Sequence, residues 1–145
     1  MLLRELIADS RQRIVELSRK CGMTRQSVYN RIRKLRERGV EFTVNLNPRE
    51  LGLELRAYIL ITADPNIRFR RETDRIIRQF EEVSQIHYIL GRFDIIVEAL
   101  VKNIDELRSL LRRIQELPAV KKTETLLVYE TTKLNGKDPL LRVLW

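Results

Sequence analysis

From residue 55 onward the apolar residues repeatedly change period, and the order of those changes leaves few folds open. "RAYILITA" alternates as a strand and is broken by Asp64-Pro65-Asn66. Phe69, Thr73, Ile76, Ile77 and Phe80 then recur at helical spacing. "IHYIL" and "FDIIVEALV" read as two strands joined through Gly91-Arg92, a Gly-X connection that suits a type II′ hairpin. Asn103 is placed to cap a helix with Asp105 and Glu106 in its first turn. Its core stripe is Ile104, Leu107, Leu110, Leu111, Ile114 and Leu117, and "VKKTETLLVYE" closes the series as a strand. Strand-helix-strand twice over is the split βαβ arrangement of a ferredoxin-like domain. A weak repeat at an offset of 37 residues supports it, matching Leu60 with Val97, Ile77 with Ile114, Phe80 with Leu117 and Val83 with Val120.

Helices cover only one face of such a sheet, so a monomer would keep the other face polar. Here both sides of the strands are apolar. Ile59, Ile61 and Ala63 oppose Tyr58, Leu60 and Thr62, and Ile95, Val97, Ala99 and Val101 oppose Ile96 and Leu100. The last strand sets Leu127 and Tyr129 against Leu126 and Val128. An uncovered apolar sheet face marks an interface. Stacking of two such sheets predicts a homodimer at least.

The first forty residues follow another rule. Leu2, Leu3, Leu6 and Ile7 make one short helical stripe, and Ile14, Val15 and Leu17 a second that stops at Cys21-Gly22. Thr24 is an N-cap candidate for a third helix, whose buried stripe is Val28, Ile32 and Leu35 and whose C′ residue is Gly39. The face opposite that stripe holds Gln26, Asn30, Arg33 and Glu37, flanked by Tyr29 and Lys34. Amide side chains can bond adenine edges bidentately, and arginine can do so to guanine. Helix, tight turn and basic helix form a helix-turn-helix arrangement. On that reading Gln26, Tyr29, Asn30 and Arg33 read bases. Arg25, Ser27, Lys34 and Arg11, taken as opening the second helix, hold phosphates. "VEFTVNL" alternates like a strand, a candidate wing, and Pro48 and Gly52 punctuate a linker.

Charge sorts the same way. Residues 1–40 hold 11 Lys/Arg against 4 Asp/Glu, whereas residues 41–145 hold 17 against 16. One polyanion-binding end and one neutral end follow. A solvated cationic helix is the competing reading, weakened by this asymmetry and by the lack of mixed Glu/Lys pairs. The single cysteine, Cys21, excludes an internal disulfide and a cysteine-rich zinc site, and no stretch approaches the roughly 18 apolar residues of a membrane span. The N-terminus lacks the apolar core of a signal peptide. The expectation is a cytoplasmic, nucleoid-associated protein without cofactor or metal.

These elements resemble the Lrp/AsnC (feast/famine) family of transcriptional regulators. "DSRQRIVELSRKCGMTRQSVYNRIRKLRERGV" is similar to the family's DNA-binding segment, with Arg11, Leu17, Gly22, Val28, Arg31-Ile32, Leu35 and Gly39-Val40 in place. "LGRFDIIVEALVKNIDEL" carries the family's glycine-x-x-aspartate hairpin at Gly91 and Asp94, and "LPAVKKTETLLVYE" its closing strand. The resemblance implies an α+β protein, prokaryotic and of archaeal type. A (winged) helix-turn-helix over 1–40 and a wing or linker over 41–54 would precede a ferredoxin-like βαββαβ effector domain over 55–131 and a tail over 132–145. It further implies double-stranded DNA as target, homodimers assembling into rings such as octamers, and an amino-acid effector. By position the effector would meet Gly91, Asp94, Thr125, Leu126 and Leu127 where neighbouring dimers join. The bland readings remain open: Gly91 makes a turn, and Asp94 keeps the strand soluble. The opening is shorter than the family's, the wing segment is compressed, and the tail lies beyond the family core, either packed on a partner or disordered.

Siroheme decarboxylases share this architecture, so an enzyme is one alternative. Against it, the one histidine, His87, sits on a predicted strand, and no catalytic triad, metal-ligand spacing or phosphate loop is present. Non-specific architectural DNA binding and RNA binding are others. RNA recognition would need exposed aromatics among basic residues on the sheet, and this sheet is neutral and apolar. A non-enzymatic, sequence-specific regulator is the expectation.

Overall fold

The computed structural model describes residues 1–144. The chain divides into two compact units, one formed by Met1–Asn45 with the stretch from Thr132, the other by Leu46–Thr131.

The first unit opens with α1 (Leu2–Ala8), α2 (Ile14–Cys21) and α3 (Arg25–Glu37). Leu2, Leu6, Leu17 and Val28 are buried, with Ile14, Met23, Ile32, Leu35 and Phe42 packed around them. The expected stripes thus supply the core, except that Val15 of the second stripe is 47% exposed and lies outside it. The end of α3 is fixed at Gly39 (φ +87°), whose N–H donates to Arg36 O while Val40 N–H donates to Leu35 O, both at 3.0 Å. That pair of bonds is a Schellman ending, and its left-handed residue suits glycine.

Residues 40–47 depart from the strand expectation. They belong to no strand and have no ladder partner, so there is no wing among the described residues. Alternation alone does not make a strand, because an extended segment needs a neighbour for its backbone groups. Here the alternating apolar residues are used differently. Phe42 packs on the helical core, and the Arg36 guanidinium lies 5.2 Å from its ring centroid. Asn47 then caps a 3-10 turn, Pro48–Leu51, that opens the second unit.

The second unit is built from β1 (Leu55–Ala63), α4 (Ile67–Ile77), β2 (Val83–Tyr88), β3 (Ile95–Val101), α5 (Ile104–Gln115) and β4 (Val120–Leu127). The strands lie in the order β2-β3-β1-β4, with every neighbouring pair antiparallel. This is the split βαβ sheet. Ile59, Ile61, Ile95, Val97 and Ala99 of its covered face pack against Ile77, Leu110 and Ile114. As expected, Asn103 caps α5, its Oδ1 accepting from Glu106 N–H at 2.9 Å.

Two details differ from expectation. In the repeat, Ile77 and Ile114 are equivalent buried residues, but Val97 is buried whereas Leu60 points away from the helices. The cause is one extra residue between β1 and α4 compared with β3 and α5, which flips the strand phase. The hairpin is also longer than two residues. β2 ends at Tyr88 and β3 starts at Ile95, so Ile89 to Asp94 form the connection. Asp94 ties the hairpin to β1: its carbonyl accepts from Ile89 N–H at 2.9 Å, its N–H donates to Ile61 O at 2.9 Å, and its carboxylate accepts from Ala63 N–H at 2.8 Å.

The face of the sheet away from α4 and α5 carries Tyr58, Leu60, Ile96 and Leu100, all half-buried, and Leu126, 48% exposed. A polar cluster crosses this stripe. The Glu98 carboxylate, only 7% exposed, accepts from Arg56 at 3.0 Å, from Tyr58 Oη at 2.7 Å and from Ser84 Oγ at 2.7 Å. Burial pushes its carboxyl up, but the bonds from Ser84 and Tyr58 and the Arg56 charge outweigh burial and hold it below the usual carboxylate range.

The tail returns to the first unit as α6 (Lys137–Leu141). Lys137 Nζ donates to Ala8 O at the C-terminus of α1 at 3.2 Å, and Arg4 donates to Leu144 O at 3.0 Å. The tail is thus folded against its own α1, which the sequence did not reveal.

Candidate nucleic-acid interface

A three-residue turn, Gly22 to Thr24, separates α2 from α3. Gly22 takes the left-handed conformation (φ +61°), and Met23 N–H reaches back to Ser18 O at 3.0 Å. Thr24 Oγ1 accepts from Ser27 N–H at 3.1 Å and bonds Ser27 Oγ at 2.9 Å. Thr24 and Ser27 are therefore committed first to starting α3, the work an N-cap threonine does.

Past that cap the helix presents the expected row. Gln26, Tyr29, Arg33 and Lys34 are exposed, Asn30 is half-buried, and Val28 on the opposite side is fully buried. Gln26 Nε2 donates to Asn30 Oδ1 at 3.4 Å, which orients both amides along one edge. At 1.5 Å per residue, the 13 residues of α3 extend about 20 Å, enough to lie along a major groove. Arg25, Arg31, Arg33, Lys34 and Arg38 make no ion pair among the described residues. Only Arg36 is engaged, on Phe42. A fold that needed these charges for itself would have paired them. Arg11 is placed differently from expectation. Helix α2 starts at Ile14 with Arg13 as N-cap, so Arg11 lies in the turn before it, its N–H bonded to Asp9 Oδ1 at 2.9 Å. The break at Asp9-Ser10 makes a two-part entry, and the arginine side chain stays exposed.

The second group of expected residues is not gathered in one place. Gly91 (φ +153°) and Asp94 belong to the β2–β3 connection, and Asp94 is bonded to Ala63 at the end of β1. In β4, Thr125 pairs with Ile59 and Leu127 with Ala57. Four to six strand residues separate those points from Ala63, about 13–20 Å along the sheet. Thr125 faces the helices, whereas Leu126, opposite Tyr58, lies on the other face. One chain alone does not converge these side chains on a ligand.

Sequence reasoning missed the Glu98 cluster. Its signal was present: one acid inside the apolar strand "IIVEALV", and one arginine opening "RAYILITA". Without the β1–β3 register, which sets Tyr58 opposite Glu98, nothing joined them. His87 lies exposed on β2 with Nε2 and Gln85 Oε1 3.0 Å apart. No group of three metal-ligating side chains occurs among the described residues, and none of their helices is long and apolar enough to cross a membrane.

Comparison with known proteins decides the ancestry. Residues 1–36 match the AsnC-type helix-turn-helix domain, and residues 56–138 match the Lrp/AsnC ligand binding domain. The chain belongs to the Lrp/AsnC family. It is 30% identical over 141 residues to the HTH-type transcriptional regulator FL11 of Pyrococcus abyssi, covering 96% of this chain and 92% of that protein. A feast or famine regulatory protein from M. tuberculosis, solved in complex with L-methionine, is 28% identical with a TM-score of 0.79 over 93% of this chain and 92% of that one. E. coli AsnC shares the fold, at a TM-score of 0.83 and 22% identity over 92% and 91% of the two chains. The α+β architecture and the archaeal affinity expected from the residues both agree with these likenesses.

Proposed function

We propose that this Lrp/AsnC protein is a sequence-specific DNA-binding transcriptional regulator that acts as a homo-oligomer and is not an enzyme. The observation that carries this reading is the row of unpaired cations and aligned amides on α3, on the side away from its buried stripe. Gln26, Tyr29, Asn30 and Arg33 read base edges, and Arg25, Lys34 and Arg11 hold phosphates, with Ser27 and Thr24 presenting the start of the helix. Two copies of α3 enter successive major grooves, about 34–36 Å apart, on a pseudo-palindromic site.

Self-association uses the apolar stripe of Tyr58, Leu60, Ile96, Leu100 and Leu126. Leaving it in water would keep an apolar patch, crossed only by the Glu98 cluster, exposed on a neutral domain. An amino-acid effector, of the kind the M. tuberculosis relative holds, binds where copies meet. The separation of Asp94 from Thr125, Leu126 and Leu127 within one chain supports a site shared between copies. Effector binding then shifts assembly geometry and the spacing of the α3 helices.

Selection of genomic fragments by the purified protein, with and without pooled amino acids, tests the whole reading. A shared palindromic sequence whose recovery changes with amino acids is expected. Equal retention of all fragments would favour architectural binding, in which phosphate contacts alone set affinity.

A further inference from the structure

The Leu46–Thr131 unit is electrically neutral, with 14 Lys/Arg and 14 Asp/Glu, yet its cations are not evenly spread. The stretch 67–79, helix α4 and the two residues after it, holds Arg68, Arg70, Arg71, Arg75 and Arg78 against only Glu72 and Asp74. The rest of the unit is left with 9 Lys/Arg against 12 Asp/Glu. Pairing within the unit uses only part of this concentration: Arg70 reaches Asp94 at 3.8 Å, Arg75 pairs with Glu72 and Arg78 with Asp74, while Arg68 and Arg71 form no ion pair among the described residues. Helix α4 is held down by Thr73 and Ile77, with Ile76 and Phe80 beside them, while Arg68, Arg71, Arg75 and Arg78 are exposed.

The arginines line a groove of about 620 Å³ shared by Ile67, Arg70, Arg71, Arg75, Arg78 and Tyr88. Three features define what it can hold. Arg71, Arg75 and Arg78, at i, i+4 and i+7, run along one edge over about 10 Å, the axial rise of roughly three nucleotides of one DNA strand. Arg75 is oriented by Glu72, its Nε and Nη2 donating at 3.2 and 2.7 Å, and Arg70 Nε donates to Asp64 O at 2.7 Å. Arg71 makes no ion pair or side-chain hydrogen bond among the described residues, and Arg78 reaches Asp74 only at 3.7 Å. The one acid lining the groove, Asp74, is already bonded by Tyr88 Oη at 3.0 Å. An open groove along a helix suits an extended polyanion better than a compact molecule. Arginine without lysine suits phosphate, which its planar fork engages bidentately.

We infer that the α4 groove is a second docking surface for the DNA phosphate backbone, engaging duplex that flanks the site read by α3. This rests on the DNA-binding reading above. The assignment is sequence-independent: it adds affinity and footprint length, not base preference.

The test uses the full-length chain, the double variant Arg71→Gln/Arg75→Gln and the charge-keeping variant Arg71→Lys/Arg75→Lys. Each is titrated across a salt series with a short duplex of about two helical turns carrying the selected site and with a fragment of about 150 bp carrying the same site. On the long fragment the glutamine variant is expected to bind roughly tenfold more weakly, its log-affinity against log-salt slope shallower by about 2, at about 0.9 per lost phosphate contact. On the short duplex it should match wild type, and the lysine variant should keep most of the long-fragment slope. An unchanged slope on the long fragment overturns the inference. Equal losses on both lengths also overturn it, since the change then lies in the primary site or in folding. A changed sedimentation coefficient without DNA overturns it in favour of contact between copies. Wild type that binds neither duplex removes the DNA-binding reading itself, a failure visible before any variant is compared.

Discussion

The two units of this chain handle charge in opposite ways. The helical unit, with the tail included, holds 14 Lys/Arg against 6 Asp/Glu, and only Lys20 and Lys133 form ion pairs among its described residues. The sheet unit balances 14 against 14 and pairs six of its arginines. The core contrast runs the other way: 4 buried apolar residues in the helical unit and 14 in the sheet unit. The unpaired positive charge of the small-cored unit suits it to a polyanion, whereas the larger core of the neutral unit carries an apolar outer face.

That contrast breaks most visibly at the sheet. Placing a charge at Leu60 (Leu60→Glu) sets an acid in the middle of the stripe without touching the covered core. Sedimentation is expected to shift to monomer, and affinity for a palindromic site to fall by about 10²–10⁴-fold as the two half-sites lose their linkage. Retained dimers would show that the stripe is covered by something else.

Glu98 sharpens the comparison, because it is a charge of the sheet unit that is both buried and paired. Glu98→Ala leaves the Arg56 guanidinium uncompensated beneath the stripe, and urea unfolding should show a loss of about 3–5 kcal/mol. The sign of the pH effect follows from the depressed carboxyl. The folded chain binds this proton less readily than the unfolded one, so the stabilisation is full at neutral pH. It is lost as pH falls below the ordinary glutamate range and through the depressed folded pKa. Glu98→Gln should remove that part of the acid sensitivity, measured as stability against pH. An unchanged acid limb would mean that the carboxylate is not stabilised by its neighbours.

The cations of α3 make the opposite case: charge that folding does not use. Arg33→Ala should leave thermal stability unaltered and cost about 1–3 kcal/mol of binding, relaxing preference at one base position. Equal weakening on every sequence would assign Arg33 to the backbone.

The legibility of these features in the sequence depended on how local their causes are. The three helices and the Gly39 ending were readable because caps and stripes are set within a few residues. The βαββαβ order was readable because each strand and helix keeps its own period. Glu98 was not, since its partners lie about 14 to 42 residues away and meet only through strand register. The six-residue β2–β3 connection was hidden for the same reason, as Asp94 bonds to β1 as well as to Ile89 across the hairpin. The 40–47 segment misled because alternation reports which residues are apolar, not whether a pairing partner exists. Lys137 and Arg4 reach across nearly the whole chain to join the tail to α1, a contact no local pattern encodes.

The smallest expected effect separates folding from recognition inside α3 itself. Thr24 belongs to the candidate DNA-binding row, yet its Oγ1 is occupied by Ser27 N–H. If the hydroxyl's first task is the cap, Thr24→Ala loses about 1 kcal/mol of helix stability. Amide exchange should then quicken at the start of α3, while protection in the sheet unit is unchanged. Thr24→Ser, which keeps the acceptor, should restore both exchange and DNA affinity. If instead the threonine touches DNA directly, Thr24→Ser would restore exchange but not binding, because the lost methyl is part of the contact. The pair of substitutions thus divides one residue's two roles, and binding that never changes in either variant would leave Thr24 to the fold alone.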